Sequence, residues 1–107
     1  MKLHPFNLRK RMIAHHYRQK QYDVVITKTQ KLLEKNSSDL FMLELQARAH
    51  TSLRNWEEGA KLYKLVYGIE PNYLDCASQL ARCAVYCKDW AVLDVISKDN
   101  RSIIGQP

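Results

Sequence analysis

The sequence of 107 residues has few features that would break a helix or cross a membrane. It contains three glycines and three prolines, and it has no long alternation of apolar and polar residues of the kind that forms half-buried strands. Its longest apolar segment, Cys83 to Cys87, is five residues long, far below the ~20 that a transmembrane helix needs. The start of the chain lacks the apolar stretch of a secretory signal. These absences predict one all-α domain in the cytoplasm, without a membrane partner.

Catalytic signatures are also missing. The sequence has no HExxH zinc motif, phosphate-binding loop, dinucleotide fingerprint or nucleophile elbow. His15 and His16 are adjacent, so on a helix they point about 100° apart and do not share a ligand. His16 and His50 are expected to be partly buried spacers rather than catalysts. We therefore expect no enzymatic activity, no catalytic residue and no cofactor.

The three cysteines follow one another at spacings of seven and four, as Cys76, Cys83 and Cys87. On one helix they face nearly the same direction, and a disulfide within a helix is geometrically unfavourable. Cys83 and Cys87 supply only two sulfurs, and no second ligand pair stands at a spacing typical of a metal site. Small thiols between packed helices are common. The pattern favours reduced core thiols over a metal or redox site.

A regular repeat is the main positive feature of the sequence. Tyr22, Trp56 and Trp90 stand at equal intervals, and each begins a segment with helical periodicity after a turn-like polar residue. The spacing from each of these aromatic residues to the next is called the repeat interval below. Repetition at this interval is typical of stacked helical hairpins, which predicts a binding surface rather than a catalytic pocket. The same interval aligns further positions: Ile13 with Ala47 and Ala81, His16 with His50 and Ala84, and Leu32 with Val66.

The periodicity predicts six helices. Ser38 or Asp39 is expected to cap the third helix and Asn72 the fifth. Gly59 lies inside the fourth helix, where glycine costs about 1 kcal/mol relative to alanine, so we expect a close helix contact there. The predicted helices span residues 6–19, 22–35, 39–53, 56–69, 73–87 and 90–98.

The segment from Asn55 to Tyr73, NWEEGAKLYKLVYGIEPNY, resembles the second helix and closing turn of a tetratricopeptide repeat (TPR). It has an aromatic residue near its start, the small residues Gly59 and Ala60, a second aromatic residue and a closing proline. The first repeat departs from the family pattern, with Ser37 where the proline belongs. The resemblance implies a TPR-like α-solenoid, which is a right-handed superhelix of three antiparallel helix hairpins. It would form a single domain over 1–107, with repeats at about 6–39, 40–73 and 74–99 and a tail at 100–107.

In the TPR family the first helices of successive repeats line a concave groove. Arg48 and Arg82 are separated by the repeat interval, so they are expected to form a ladder of cations in that groove. We expect the strongest partner contacts from Lys10, Arg11, Tyr17, Arg18, Phe41, Leu45, Arg48, Arg82 and Tyr86. The full set of groove positions that the resemblance implies also contains Asn7, Ala14, Glu44, Thr51, Ser52, Asp75, Ser78, Gln79 and Val85.

Positive charge is concentrated in the first third of the sequence. Residues 1–35 contain nine lysines or arginines and two acidic residues, whereas the rest of the chain contains eight and nine. Such a field either attracts an acidic partner or only keeps the hairpin soluble.

A basic groove with aromatic residues suits a peptide or amphipathic helix that carries acidic and apolar side chains. We therefore expect a protein-interaction module: an adaptor, a scaffold or a small chaperone. One alternative is an N-terminal accessory module of a larger enzyme. Another is a basic nucleic-acid-binding protein, although no basic motif interleaved with aromatic residues accompanies the charge.

The predicted last helix leaves an apolar edge that includes Trp90, Val92 and Val95, followed by a tail whose apolar pair is Ile103 and Ile104. Repeat arrays normally end in a polar cap, because each unit leaves an apolar side for its neighbour. Four covers for this edge stay open: the tail itself, a second copy of the chain, another protein, or further polypeptide.

Overall fold

The computed structural model describes residues 5–99, and it describes side-chain surroundings from Leu8 onward. Within these residues the chain forms six α-helices and no strand, so the all-α prediction is confirmed. The predicted bounds agree to within one residue for five helices, and the fifth begins three residues later than predicted. The helices are α1 (Pro5–Arg18), α2 (Tyr22–Lys35), α3 (Leu40–Ser52), α4 (Trp56–Ile69), α5 (Cys76–Cys87) and α6 (Trp90–Lys98).

The predictions for the Asn7 side chain and for the tail 100–107, with Ile103 and Ile104, lie outside the described residues.

The late start of α5 comes from the turn that precedes it. The backbone N–H of Asn72 donates to Oε1 of Glu70 at 3.1 Å, and Leu74 has a φ of 46°, so the chain cannot yet be helical there. Asn72 is therefore not the cap of α5, and that prediction was wrong. Asp39 does cap α3, since its Oδ1 accepts a hydrogen bond from the backbone N–H of Met42 at 3.2 Å.

Each helix packs against the next along the chain, and α1 also contacts α3. The connections are only two to six residues long, and short connections between packed helices make successive helices antiparallel. Helix α3 lies deepest, with eight of its 13 residues buried. The core therefore follows α3 and α4, with Met42, Val66 and Tyr63 among its most buried side chains.

The turns after α1, α3 and α5 are equivalent in geometry. Lys20, Arg54 and Lys88 are separated by the repeat interval and have φ angles of 61°, 63° and 58°. The residue after each donates its N–H to a carbonyl five positions back, at 2.9 Å, 2.8 Å and 2.8 Å. This hydrogen bond and the left-handed residue define a Schellman turn. The repeat is therefore present in the backbone as well as in the sequence.

Gly59 lies at a close contact between helices, as expected. A Cβ atom there would lie 2.7 Å from Cγ2 of Thr51 on α3 and 3.4 Å from Sγ of Cys83 on α5. Any side chain would push α4 away from one of these neighbours, so the packing of three helices depends on a glycine at this position.

Candidate functional site: a polar cleft across three helix hairpins

A cleft of about 580 Å³ opens along one side of α1, α3 and α5, with a residue of α4 in its floor. Eight of the ten residues that line it are among those that the TPR resemblance places in a groove. Their role in binding stays a prediction. The lining residues are Tyr17, Glu44, Arg48, Thr51, Ser52, Tyr63, Leu74, Asp75, Gln79 and Arg82.

An ion pair between a buried carboxylate and a half-buried guanidinium forms part of the cleft wall. Glu44 is 4% exposed, and both its oxygens accept hydrogen bonds from Arg48, at 3.0 Å from Nε and 2.5 Å from Nη2. Desolvation lowers the pKa of the Arg48 guanidinium, but the hydrogen bond and charge of Glu44 outweigh it, so the pKa stands above its ordinary value. Arg48 is therefore committed to holding a buried carboxylate.

Tyr63 brings a hydroxyl group to the floor of the cleft. The residue is 1% exposed, and its hydroxyl has no hydrogen-bond partner among the described residues. Among the described residues, every fully buried side-chain oxygen or nitrogen has a hydrogen-bond partner. Because the Tyr63 hydroxyl has none, it is not fully buried and reaches the open space of the cleft. Burial raises the pKa of Tyr63, and Glu44 and Asp75 raise it too, while Arg48 acts in the opposite direction. The group stays protonated at neutral pH and is free to donate a hydrogen bond to a ligand.

The two predicted ladder arginines each lie over an aromatic ring of the preceding hairpin. The guanidinium carbon of Arg48 is 5.2 Å from the centroid of Tyr17, and that of Arg82 is 5.0 Å from the centroid of Trp56. Trp56 also stacks on Tyr86, with centroids 4.1 Å apart and planes 4° apart. Such cation–π contacts hold the guanidinium groups in fixed orientations.

The residues that line the cleft carry no net formal charge, whereas the wider groove that the resemblance implies was predicted to be basic. Two carboxylates, Glu44 and Asp75, face two guanidiniums, Arg48 and Arg82, so its formal charge is zero. Arg48 is neutralised by Glu44, and Asp75 accepts a hydrogen bond from Nε2 of Gln79 at 3.1 Å. Arg82 is exposed and forms no salt bridge with the described residues. It is the cation best placed to meet an acidic group on a partner.

The other predicted contact residues do not line this cleft. Leu45 is 4% exposed and belongs to the core, because α3 is covered by neighbours on several sides; its assignment to the groove was wrong. Phe41 is partly buried beneath Lys10, whose Nζ lies 5.1 Å from the ring centroid. Arg11 and Arg18 are exposed on α1. Tyr86 lines a second cleft of about 380 Å³, which also contains Trp56.

The cysteines form no disulfide, and two of them lie in the core as predicted. Cys76 and Cys83 are buried and Cys87 is partly buried. Burial raises the pKa of the Cys83 thiol to about 11, with a smaller contribution from Cys87, so the thiol is protonated at neutral pH. Within residues 5–99 there is no cluster of three or more His, Cys, Asp or Glu side chains that could hold a metal ion.

The two equivalent histidines are partly buried, as expected, and each contacts the residue five positions later. Nδ1 of His16 is 2.6 Å from Oε1 of Gln21, and Nδ1 of His50 is 3.4 Å from Nδ2 of Asn55. Both contacts link the end of one helix to the start of the next, which is a structural role.

Among the described residues, no helix has both the length and the apolar character required to span a bilayer.

Comparison with known proteins gives no match: no family model, no curated protein and no solved structure corresponds to this chain.

Proposed function

We propose that the chain is a protein-interaction module, an adaptor, scaffold or small chaperone of TPR-like architecture, that holds a peptide or helix of a partner in the central cleft. The Schellman turns, which recur at the repeat interval, support the TPR-like arrangement of three hairpins. The polar cleft across those hairpins supports the binding role. No catalytic role is assigned to any residue.

The observation that carries the proposal is the hydroxyl of Tyr63. A polar group on an almost fully buried residue normally has a partner in the protein or an ordered water molecule. The hydroxyl of Tyr63 bonds to none of the described residues and opens into the cleft. A bound peptide would supply a hydrogen-bond acceptor for this hydroxyl through a backbone carbonyl or a polar side chain. Arg82, exposed on the same cleft, would pair with a carboxylate of that peptide. The preferred ligand is therefore a segment with an acidic residue beside a hydrogen-bond acceptor.

The test is selection of binding peptides from a random library on the immobilised protein. Tyr63→Phe removes the hydroxyl without breaking a hydrogen bond to any described residue, so we expect this variant to fold normally. Its affinity for the selected peptides should be about fivefold to tenfold weaker. Arg82→Glu should weaken them by about tenfold or more.

Lys61→Glu serves as the charge-matched control for Arg82→Glu, because Lys61 is 70% exposed and lies outside the cleft. Peptides that bind both cleft variants as tightly as the unaltered protein would show that the cleft is idle.

A further inference from the structure

The first helix has an exposed stripe at positions that are buried in the other two hairpins. Leu8 and Met12 are 49% and 53% exposed, and His15 is also exposed. Their equivalents one repeat later, Met42, Gln46 and Ala49, are 0%, 4% and 0% exposed. Their equivalents two repeats later are also at most 2% exposed: Cys76, Leu80 and Cys83. The edge stripe, Leu8–Met12–His15, is thus the exposed counterpart of two occupied surfaces.

An α-helix covers each of the two occupied surfaces. On α3, Nε2 of Gln46 donates to the backbone carbonyl of Ile26 at 3.3 Å and to Oε1 of Gln30 at 3.2 Å, both on α2. On α5, Cys83 lies against Gly59 of α4. In both cases the second helix of the preceding hairpin fills the place. The stripe on α1 therefore has the spacing and orientation to receive a helix packed as α2 packs on α3.

The charge beside the edge stripe specifies what kind of helix would fit. A cleft of about 230 Å³ runs between α1 and α2, with Met12, Ile13 and Leu32 in its apolar part. Arg9, Lys28 and Lys31 also line it, and none of the salt bridges among the described residues involves them. Three cations around an apolar cleft complement a helix with apolar residues on one face and carboxylates at the border of that face.

We propose that this edge of the first hairpin docks an acidic amphipathic helix of a partner protein. The surface lies apart from the central cleft, so the inference goes beyond the function proposed above and does not depend on it. A second copy of this chain fits less well. The outer apolar face of α6 includes Val92 and Val95 and is bordered by Lys64, and its acidic Asp94 is already paired with Lys98.

The probe is a synthetic helical peptide of about 18 residues, or five turns, with leucines on one face and glutamates on the other. Fluorescence anisotropy would measure its affinity, and backbone amide shifts would locate its site. The same peptide with lysines in place of the glutamates, and a glutamate peptide with its leucines scrambled around the helix, are the ligand controls. We expect only the amphipathic acidic peptide to bind, more weakly as salt is raised.

The first variant, Lys28→Glu with Lys31→Glu, should weaken this peptide by about tenfold or more. Its control is Lys61→Glu with Lys98→Glu, which makes the same change in net charge at exposed positions elsewhere. The second variant, Met12→Gln, should weaken binding by about fivefold. Its control is Leu65→Gln, because Leu65 on α4 is exposed to the same 53% as Met12.

Several results would overturn the proposal. One is equal binding of the lysine peptide, and another is full affinity in Met12→Gln or the double lysine variant. A third is a set of amide shifts confined to the central cleft, which would support only the peptide-binding function. Binding of generic RNA or of phosphatidylserine vesicles that depends on Lys28 and Lys31, without binding of the acidic peptide, would assign the surface to another ligand. Sedimentation showing self-association that Met12→Gln abolishes would assign it to a second copy.

Discussion

Helix α3 has eight buried residues, whereas Ile13 is the one buried side chain among the described part of α1. The two helices have similar lengths and end in the same Schellman turn, so their backbones do not explain the difference. Their neighbours do, because α3 packs on α2 and α4 and also contacts α1, while α1 packs on α2 and less extensively on α3 among the described helices. A residue's place in the series therefore decides whether a given repeat position is core or surface.

The distribution of charged residues also differs between the exposed first hairpin and the more enclosed rest of the molecule. All four salt bridges among the described residues join side chains between Glu44 and Lys98, while the cations concentrate in residues 1–35. An enclosed position tolerates a charge only when a partner neutralises it, as Arg48 neutralises Glu44. An exposed position carries no such requirement, so Arg9 occurs where the second hairpin has the buried Leu43.

The strongest test of this comparison uses thiols at equivalent positions. Cys83 is 0% exposed, and its first-hairpin counterpart is the exposed His15. In a His15→Cys variant the new thiol should react with a maleimide at the rate of a free cysteine. Native Cys83 should react at least about a thousandfold more slowly, because its thiol becomes accessible only when the protein unfolds. Mass spectrometry of the labelled peptides would measure both rates in one sample, and comparable rates would contradict the comparison.

Burial of Cys83 also makes the stability of the protein depend on pH. Its folded-state pKa of about 11 lies above the ordinary 9.0, so the folded protein binds the thiol proton more tightly than the unfolded chain does. The resulting contribution to stability is complete below pH 9 and is lost as the pH rises through about 11. Urea unfolding of Cys83→Ala should show a weaker loss of stability over this interval than the unaltered protein shows.

The two equivalent arginines, Arg48 and Arg82, should differ in their effect on stability. Arg48→Ala leaves the carboxylate of Glu44 buried without a partner, and we expect it to lower the free energy of unfolding by about 2–3 kcal/mol. This is less than the value for a fully buried pair, because the Arg48 side chain is 40% exposed. Arg82→Ala removes an exposed cation–π contact and should cost less than about 1 kcal/mol. Urea denaturation would measure both changes.

A double variant identifies the source of the Arg48 effect. Removing both charges with Glu44→Gln and Arg48→Ala should restore part of the lost stability, since no buried carboxylate then lacks a partner. A double variant as unstable as the sum of the single ones would show that lost packing, rather than the uncompensated charge, explains the effect.

Helical periodicity and the repeat interval predicted the helices, because both depend on spacing along a regular helix. The resemblance to the TPR family supplied most of the residues that line the cleft. Whether an individual side chain is buried or exposed depends on neighbouring helices, which spacing along one helix does not reveal. Leu45 and Glu44 are adjacent on α3, and both are buried on a helix that is covered on several sides. Tyr63 was missed as a cleft residue because the resemblance assigns the groove to first helices, whereas this long side chain reaches it from α4. The start of α5 was missed because a left-handed leucine, Leu74, has no sequence signal.

The two helical glycines of α4 should respond to alanine in opposite directions. Gly59→Ala gains about 1 kcal/mol of helix propensity but places a Cβ within 2.7 Å of the Thr51 methyl group, so we expect a net loss of about 1 kcal/mol. Gly68→Ala meets no atom within 4 Å and should gain about 0.5 kcal/mol. In a Thr51→Ser background, which removes that methyl group, Gly59→Ala should become neutral or stabilising. A loss that persists there would place the conflict at another contact.

The smallest predicted difference concerns the residues that precede α4 and α6. Asn55 and Asp89 are equivalent, but Asn55 contacts His50, whereas Ala84 replaces that histidine and leaves the Asp89 carboxylate to cap α6. Its Oδ1 accepts from the N–H of Val92 at 3.3 Å, and Oδ2 accepts from Nζ of Lys64 at 3.3 Å. Asp89→Ala should therefore cost about 1 kcal/mol in urea denaturation, against a few tenths for Asn55→Ala, whose side-chain contact is exposed.

Asp89→Asn keeps a capping oxygen but removes the charge that Lys64 contacts. If the cap is the main contribution, that variant should stay within about 0.5 kcal/mol of the unaltered protein, while a loss as large as that of Asp89→Ala would assign the effect to the salt bridge.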